Sequence, residues 1–498
     1  MSKVNVASVK TLVLNGIEVV PITIEVSVEE SSLPGLFIVG CSDEVALEAR
    51  LLVRCALKES GFLYSDRMHV TATVRPDSTR KYAPGNIAFA VACAYLCATG
   101  QVDSRIFEHA FCVGNLALSA VMPARSMFVY GEYARRCDMG LVCAPGCDEL
   151  RWLEGLEIAC VGNLGDLRHP EFMHADLLPR DPAGVPEPKS ADLADYAFSP
   201  YAVRALAICA TGGHDLMLQG PRGSRVNELA ERIGTILPPL GMEEVIESAC
   251  IHSAATLEVD GLFCTERPVR IPHHSTTLAG LVGGGMRICP GEASLAHNGV
   301  LVIEDMQEWS PNALQAMRQP MRDGHVVICR AGMRVDMPAD FTLVATSGTC
   351  PCGHFGSTSG TCTCGEHRVA GYQDRVAGLL RDGFDLWVQV AESSAEDALD
   401  AEGRIDSAQV REMVMDARER AARRDGGRKL QDMSLDELVG ACGVSDELLR
   451  GVMAMRPGMT DADFMRVLRV ARTIADLDGE ETVTYGELTE ALSYMVHI

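Results

Sequence analysis

Residues 215–219, Asp-Leu-Met-Leu-Gln, run straight into Gly220-Pro221-Arg222-Gly223-Ser224-Arg225-Val226-Asn227, and then into a segment with helical spacing over 227–237. Few folds accept an apolar strand that stops at glycines and restarts as a helix. The turn allows close backbone approach, and its usual setting is a parallel α/β sheet with an anion site at the helix start. Two further apolar runs predict strands of the same layer: residues 299–303 end at Glu304-Asp305, and residues 341–345 end at Thr346-Ser347. Buried strands that deliver polar residues at their C-terminal ends are how such a sheet assembles a nucleotide site.

The chemistry of that site is another matter. A phosphate-binding loop places a lysine on the β/γ-phosphates, a Ser/Thr hydroxyl on Mg²⁺ and a glycine where the backbone must approach. Those places hold Val226, Asn227 and Arg225, and no lysine occurs between Lys189 and Lys429, so a shifted alignment cannot restore the ammonium. Gly220 to Asn227 are the candidate nucleotide-binding residues, and Glu304 and Asp305 are the candidate catalytic carboxylates.

A chain of 498 residues exceeds one core and predicts about two to four domains. With 47% apolar and 22% charged residues it is globular. The net charge of −24 excludes a surface that grips nucleic acid throughout, though not a local basic channel. Nineteen cysteines, mostly single and in apolar settings, together with an N-terminal stretch that alternates like a strand, predict a cytoplasmic protein without a secretory leader. The most apolar stretch, 87–99, is shorter than the roughly 20 residues of a membrane span and is expected to be a core helix.

Strand-like runs at 18–28, 69–74, 140–144 and 156–161, with helical patterns at 42–60 and 85–98, predict an α/β N-terminal domain over 1–175. Pro179, Pro182, Pro186 and Pro188 mark a linker, 176–195. The sheet region follows over 196–395. Beyond it, 396–498 is helical, with Ser434-x-x-Glu437 and Thr484-x-x-Glu487 as capping boxes and Phe464, Val467, Leu468 and Ala471 along one helical face.

Ordered motifs run along nearly the whole chain: Leu33-Pro34-Gly35-Leu36, Glu48-Ala49-Arg50, Gly212-Gly213-His214, Pro272-His273-His274-Ser275, Leu281-Val282-Gly283-Gly284-Gly285, Pro290-Gly291-Glu292, Cys350-Pro351-Cys352-Gly353, and 469–477. In these the chain resembles the magnesium-chelatase-like AAA+ ATPases of the YifB/ComM family. The resemblance implies an α/β multidomain fold: a Lon-protease-like, ribosomal S5-type N-terminal domain, a P-loop AAA+ core and a C-terminal helical lid. It also implies ATP and Mg²⁺ as cofactors and an oligomeric ring, either of one chain or mixed with an active homologue. Competence members of the family resemble DNA branch-migration helicases.

Carried over position by position, the family's catalytic parts are each replaced here. Val226 stands for the lysine, Asn227 for the magnesium hydroxyl, Glu304-Asp305 for Asp-Glu, Gly348 for the polar sensor, Gly383 for the arginine finger and Ala462 for the lid arginine. An arginine finger alone contributes about 10³ to 10⁵ in rate, and one preorganised donor on the order of 10² to 10³. The expectation is a pseudo-ATPase, a scaffold or inactive ring partner in DNA processing, with hydrolysis absent or very weak. Arg222, Arg225 and Arg381 are the cations that could substitute. The rival reading is an active ATP-dependent DNA motor with an unorthodox site.

Cys350-x-Cys352 and Cys362-x-Cys364 flank a Gly/Ser-rich loop and form a candidate Zn²⁺ site, with His354 and His367 in reserve, against the bland reading of four reduced thiols. His273 and His274, in a loop that resembles the family's pore insertion, and Arg318, Arg322, Arg330 and Arg334, flanking a predicted helix and hairpin, are candidate pore or DNA residues. A solvated face explains the arginines equally well. Ser78 and Lys81 are close in sequence, but no protease dyad is expected of them.

Overall fold

The computed structural model of the chain describes residues 5–31, 33–64, 67–76, 86–178, 191–263, 266–285, 288–330, 333–380, 383–394 and 404–495. The four prolines of the expected linker, the Ser78/Lys81 pair, Cys264 and Arg381 lie outside these residues.

The N-terminal part carries two sheets. Strands Asn5–Asn15 and Glu18–Glu30 form a long hairpin turned at Gly16, with Met68–Arg75 antiparallel on its far side and Gly35–Val39 parallel at the edge. Ile22, Ile24, Val26 and Val28 alternate inward, as a half-buried sheet requires. Helix Ile87–Ala98 is buried at every position except Cys97 and forms the centre of this core, as its composition predicts. The second sheet joins Ala110–Val113, Gly140–Cys143 and Glu157–Cys160 in parallel, with Phe172–His174 antiparallel at its edge. Trp152 links this part to the following region: its indole N–H donates to Asp260 at 2.8 Å and its ring stacks on Phe263 at 4.5 Å.

The central sheet is five parallel strands in the spatial order Val269–Arg270, Val300–Ile303, Thr342–Gly348, Leu216–Gly220, Leu386–Gln389. Chain order therefore reverses beside Leu216–Gly220, a topological switch point. The helix predicted over 227–237 is interrupted. It forms Val226–Glu231 and Ile233–Ile236, because the Arg232 guanidinium donates to the Glu228 carbonyl that its own amide would otherwise use, and the amide turns to Leu229. Helix Pro311–Asp323 and the hairpin of His325–Arg330 with Met333–Pro338 pack through Leu314, Met317 and Val326 against Leu301, Ile303, Leu343 and Ala345 on one face of the sheet.

The C-terminal region is helical: Ser407–Asp425, Leu435–Cys442, Asp446–Met455, Asp461–Asp478 and Tyr485–Ser493. Both expected capping boxes close, at Ser434 with Glu437 and at Thr484 with Glu487. Phe464, Val467, Leu468 and Ala471 face inward. The same helix buries Arg472 to 1% exposure, its guanidinium bonded to Asp476 at 2.9 Å and to the carbonyls of Glu480 and Glu481. Among the described residues no helix is long and apolar enough to cross a membrane, and every cysteine is a free thiol.

Candidate functional site

Parallel pairing puts Gly220 opposite Gly348, and Ile303 opposite Ala345, so the glycine loop, Glu304-Asp305 and Thr346-Ser347 emerge at one end of the sheet. The loop keeps the shape of a phosphate cradle. A Cβ on Gly220 would lie 2.1 Å from Ser224 Oγ, so only glycine fits, and Gly223 adopts φ +95°. Arg225 also sits in the left-handed region, at φ +54°, where a side chain costs about 1–2 kcal/mol. Its guanidinium lies 4.4 Å from the Tyr196 ring and 3.3 Å from Glu228, which offset that strain and hold it in a local cluster. Several donors of the cradle are already satisfied: the Arg222 amide by the Gly353 carbonyl at 2.7 Å, and both the amide and hydroxyl of Ser224 by the Pro221 carbonyl.

Below the loop, Asn227 at the magnesium-hydroxyl position and Asp305 at the position of the water-orienting base close a ring of hydrogen bonds with Thr346. Thr346 Oγ1 donates to Asn227 Oδ1 at 2.6 Å and accepts from the Asp305 amide at 3.0 Å, while Asn227 Nδ2 donates to Asp305 Oδ2 at 3.4 Å. Gln307 takes the other Asp305 oxygen at 3.2 Å. Around the ring stand Glu228, Glu231 and Glu304. Burial raises the Glu304 carboxyl above its ordinary range, and the neighbouring charges of Glu231, Asp305 and Glu228 push the same way. These residues do not fit MgATP, the group the resemblance implies. The pocket gathers carboxylates where a triphosphate needs cations, and the amide of Asn227 is committed to Thr346 and Asp305.

The remaining mapped positions are filled structurally. A side chain at Gly348 would meet Tyr372 Oη at 3.1 Å, and one at Gly383 would meet the Met321 methyl at 2.7 Å. Ala462 is exposed near the start of Asp461–Asp478. The next lysine along the chain, Lys429, pairs with Asp340.

Directly beside the loop, the structure brings Cys350, Cys352, Cys362 and Cys364 together, all four sulfurs within 4.8 Å of one another, and neither His354 nor His367 joins the group. The intervening loop is fastened by Glu392, whose carboxylate accepts from the hydroxyls of Ser357 (2.5 Å), Thr358 and Ser359 and from the amides of Thr358 and Ser359. These donors, the Ser357 hydroxyl foremost, hold the Glu392 carboxyl down at about 2. A cavity of about 520 Å³ opens next to the cysteines, lined by Glu308, Pro351, His367, Arg368, Gly371, Tyr372 and Arg375.

The pore candidates are elsewhere. The rings of His273 and His274 lie 4.0 Å apart, tilted by 36°, on an exposed loop, and among the described residues no carboxylate completes a metal group with them. Arg318 and Arg322 are exposed on Pro311–Asp323, where Arg322 pairs with Asp323 at 2.7 Å. On the hairpin, Arg330 donates to the Gly285 carbonyl and Arg334 is exposed. Sequence reasoning missed Glu228, Glu231, Tyr372 and Glu392. The first two stand three residues apart on the helix that follows the loop, a spacing that puts both on one face and was readable. The other two meet the site only through the fold.

The sequence as a whole is similar to known proteins. Residues 192–398 match the family described as magnesium chelatase, subunit ChlI, and residues 404–495 match its C-terminal family. The chain is 32% identical to the uncharacterized protein YifB of Escherichia coli K12 and 30% identical to the competence protein ComM of Haemophilus influenzae, each alignment covering 96% of this chain and 95% of the relative. An uncharacterized protein of Mycobacterium tuberculosis H37Rv is 32% identical over 93% of each chain.

Proposed function

The chain belongs to the magnesium-chelatase-like YifB/ComM family, and from that premise we propose that it is a pseudo-ATPase: a ring subunit that keeps the motor fold without turning over ATP. AAA+ proteins commonly assemble as rings, and this subunit serves as a scaffold or as the inactive partner of a working homologue in DNA processing. The 1–175 part is the S5-type domain, 196–395 the AAA+ core and 396–498 the lid, joined by a linker at 176–195.

One observation carries the reading. The Asn227–Thr346–Asp305 ring closes the catalytic position on itself, among carboxylates, in a stretch of chain with no lysine. Positive charge is the first requirement of phosphoryl transfer. The DNA role rests on the family's competence members, with His273, His274, Arg318, Arg322, Arg330 and Arg334 as the residues that would face a ring channel.

Phosphate release from MgATP by the full chain tests this. Wild type is expected to match Glu304→Gln at the background rate, and turnover that Glu304→Gln abolishes would establish an active motor instead. Retention on DNA at low salt, lost as salt rises, is the expected binding result. Absence of retention at low salt would remove the DNA role while leaving the nucleotide reading intact.

A further inference from the structure

We propose that Cys350, Cys352, Cys362 and Cys364 bind one structural zinc ion, and that this ion holds the glycine loop in place through the carbonyl of Gly353. Three sulfur pairs are spaced at 3.4 Å (Cys350 to Cys352), 3.7 Å (Cys350 to Cys362) and 3.6 Å (Cys352 to Cys362). Four thiolates on a tetrahedral ion, each about 2.3 Å from it, stand about 3.8 Å apart, whereas a disulfide needs about 2.05 Å. Cys350, Cys352 and Cys362 stand at the spacing of ligands to a shared ion, and Cys364 lies within 4.8 Å of them.

Backbone amides point at the sulfurs as well. Phe355 N–H donates to Cys350 Sγ at 3.3 Å, and the amides of His354 and Thr363 donate to Cys352. Such donors orient ligands and share the thiolate charge. Glycines at φ +79° (Gly353) and +77° (Gly356) make the turns that fold the loop back, which residues with side chains resist.

The coupling follows from adjacency. Gly353 succeeds the ligand Cys352, and its carbonyl accepts the Arg222 amide at 2.7 Å. A Cβ on Gly353 would stand 3.2 Å from the Arg222 Cβ, so the two backbones meet without intervening side chains. On its other flank the loop is fixed to Glu392. The ion thus stabilises the cradle from outside, a task that bound nucleotide performs from inside in a working P-loop. This inference does not depend on whether the chain hydrolyses ATP.

Full-length protein purified under reduction is expected to contain about one zinc per chain by elemental mass spectrometry, released on titration with an organomercurial. Cys350→Ser/Cys362→Ser should lose more than about nine-tenths of that metal, and Cys137→Ser, an exposed thiol elsewhere, should keep it. Should the double variant not fold, cobalt exchanged into the wild-type chain gives a second readout: the thiolate-to-cobalt charge-transfer band and the visible bands of a tetrahedral tetrathiolate. Removing the metal should speed amide exchange at Arg222 by about tenfold or more, with residues 220–227 following. Wild type without zinc and without the cobalt bands, or metal content equal in wild type and double variant, would overturn the site. Unchanged exchange at Arg222 after metal removal would overturn the coupling.

Discussion

The glycine loop and the cysteine loop meet at the Arg222–Gly353 hydrogen bond, and they have kept opposite things. The glycine loop has a backbone with a Gly220 that admits no Cβ, and carries Arg225, Val226 and Asn227 where a phosphate-binding loop carries glycine, lysine and a hydroxyl. The cysteine loop retains every group needed to hold an ion, and its chain path serves those groups. The difference teaches that a cradle persists when its hydrogen bonds are satisfied internally, whereas four sulfurs gathered within 4.8 Å of one another, even with backbone donors on them, make a ligand set for a metal. The first loop takes its shape from its own hydrogen bonds and from the Gly353 carbonyl. The second would take its shape from the proposed ion.

Stability measurements should break the comparison if it is wrong. Replacing one ligand, Cys362→Ala, is expected to cost about 3 kcal/mol or more by chemical denaturation, the range associated with loss of a metal. Arg225→Gly in the neighbouring loop is expected to change stability by less than about 1 kcal/mol, because relief of left-handed strain offsets the lost Tyr196 contact. Equal effects would show that the two loops are held in the same way.

A second test asks whether the cradle is still a cradle. In Arg225→Gly/Val226→Lys/Asn227→Thr the ring on Thr346 opens and the missing ammonium and hydroxyl return. MgATP should then stabilise the variant by about 1–3 kcal/mol when present at 10 to 100 times its dissociation constant, seen as a rise in melting temperature absent from wild type. Phosphate release should stay at background, since Gly348, Gly383 and Ala462 remain. No thermal shift in the variant would mean that the backbone, too, has lost its ligand geometry.

Much of this was legible in the residues, for physical reasons that differ by element. The strand, glycine turn and helix start were readable because each has a local cause: an apolar run, positive φ, a fresh row of amides. The interruption at Arg232 was not, since it depends on a side chain competing for a carbonyl four residues back. The cysteine cluster was legible as spacing, and its closure without His354 or His367 was not. Nor could sequence place Glu392, some thirty residues downstream of the hydroxyls it accepts from, or reveal that Arg472, within the 469–477 segment, is buried and bonded to Asp476.

The acidic ring makes a smaller, signed prediction. Because burial and the charges of Glu231, Asp305 and Glu228 raise the Glu304 carboxyl, folding favours its protonated form. That contribution is present below the ordinary carboxylate range and is lost as pH rises through the raised value. Glu304→Gln should therefore stabilise the protein near pH 7, by less than about 1 kcal/mol given solvent screening, and flatten the pH dependence above the carboxylate range. In a site built for phosphate the same change would remove a ligand to the metal. Here it removes repulsion.

The smallest effect separates the two fastenings of the cysteine loop. Glu392 is depressed to about 2 from an ordinary 4.5, so its contribution is complete above about 4.5 and disappears as pH falls through about 2. Protons compete for thiolates at higher pH than for this carboxylate, so acid should release the metal first. Amide exchange at Thr358 and Ser359, whose N–H groups donate to Glu392, should stay slow after zinc has left and accelerate only near the lower value. Glu392→Gln should abolish that second step while leaving zinc release unchanged. If both steps moved together, the carboxylate and the ion would be one fastening, and the contrast between a loop held by its own hydrogen bonds and a loop held by its ligand would lose its sharpest boundary.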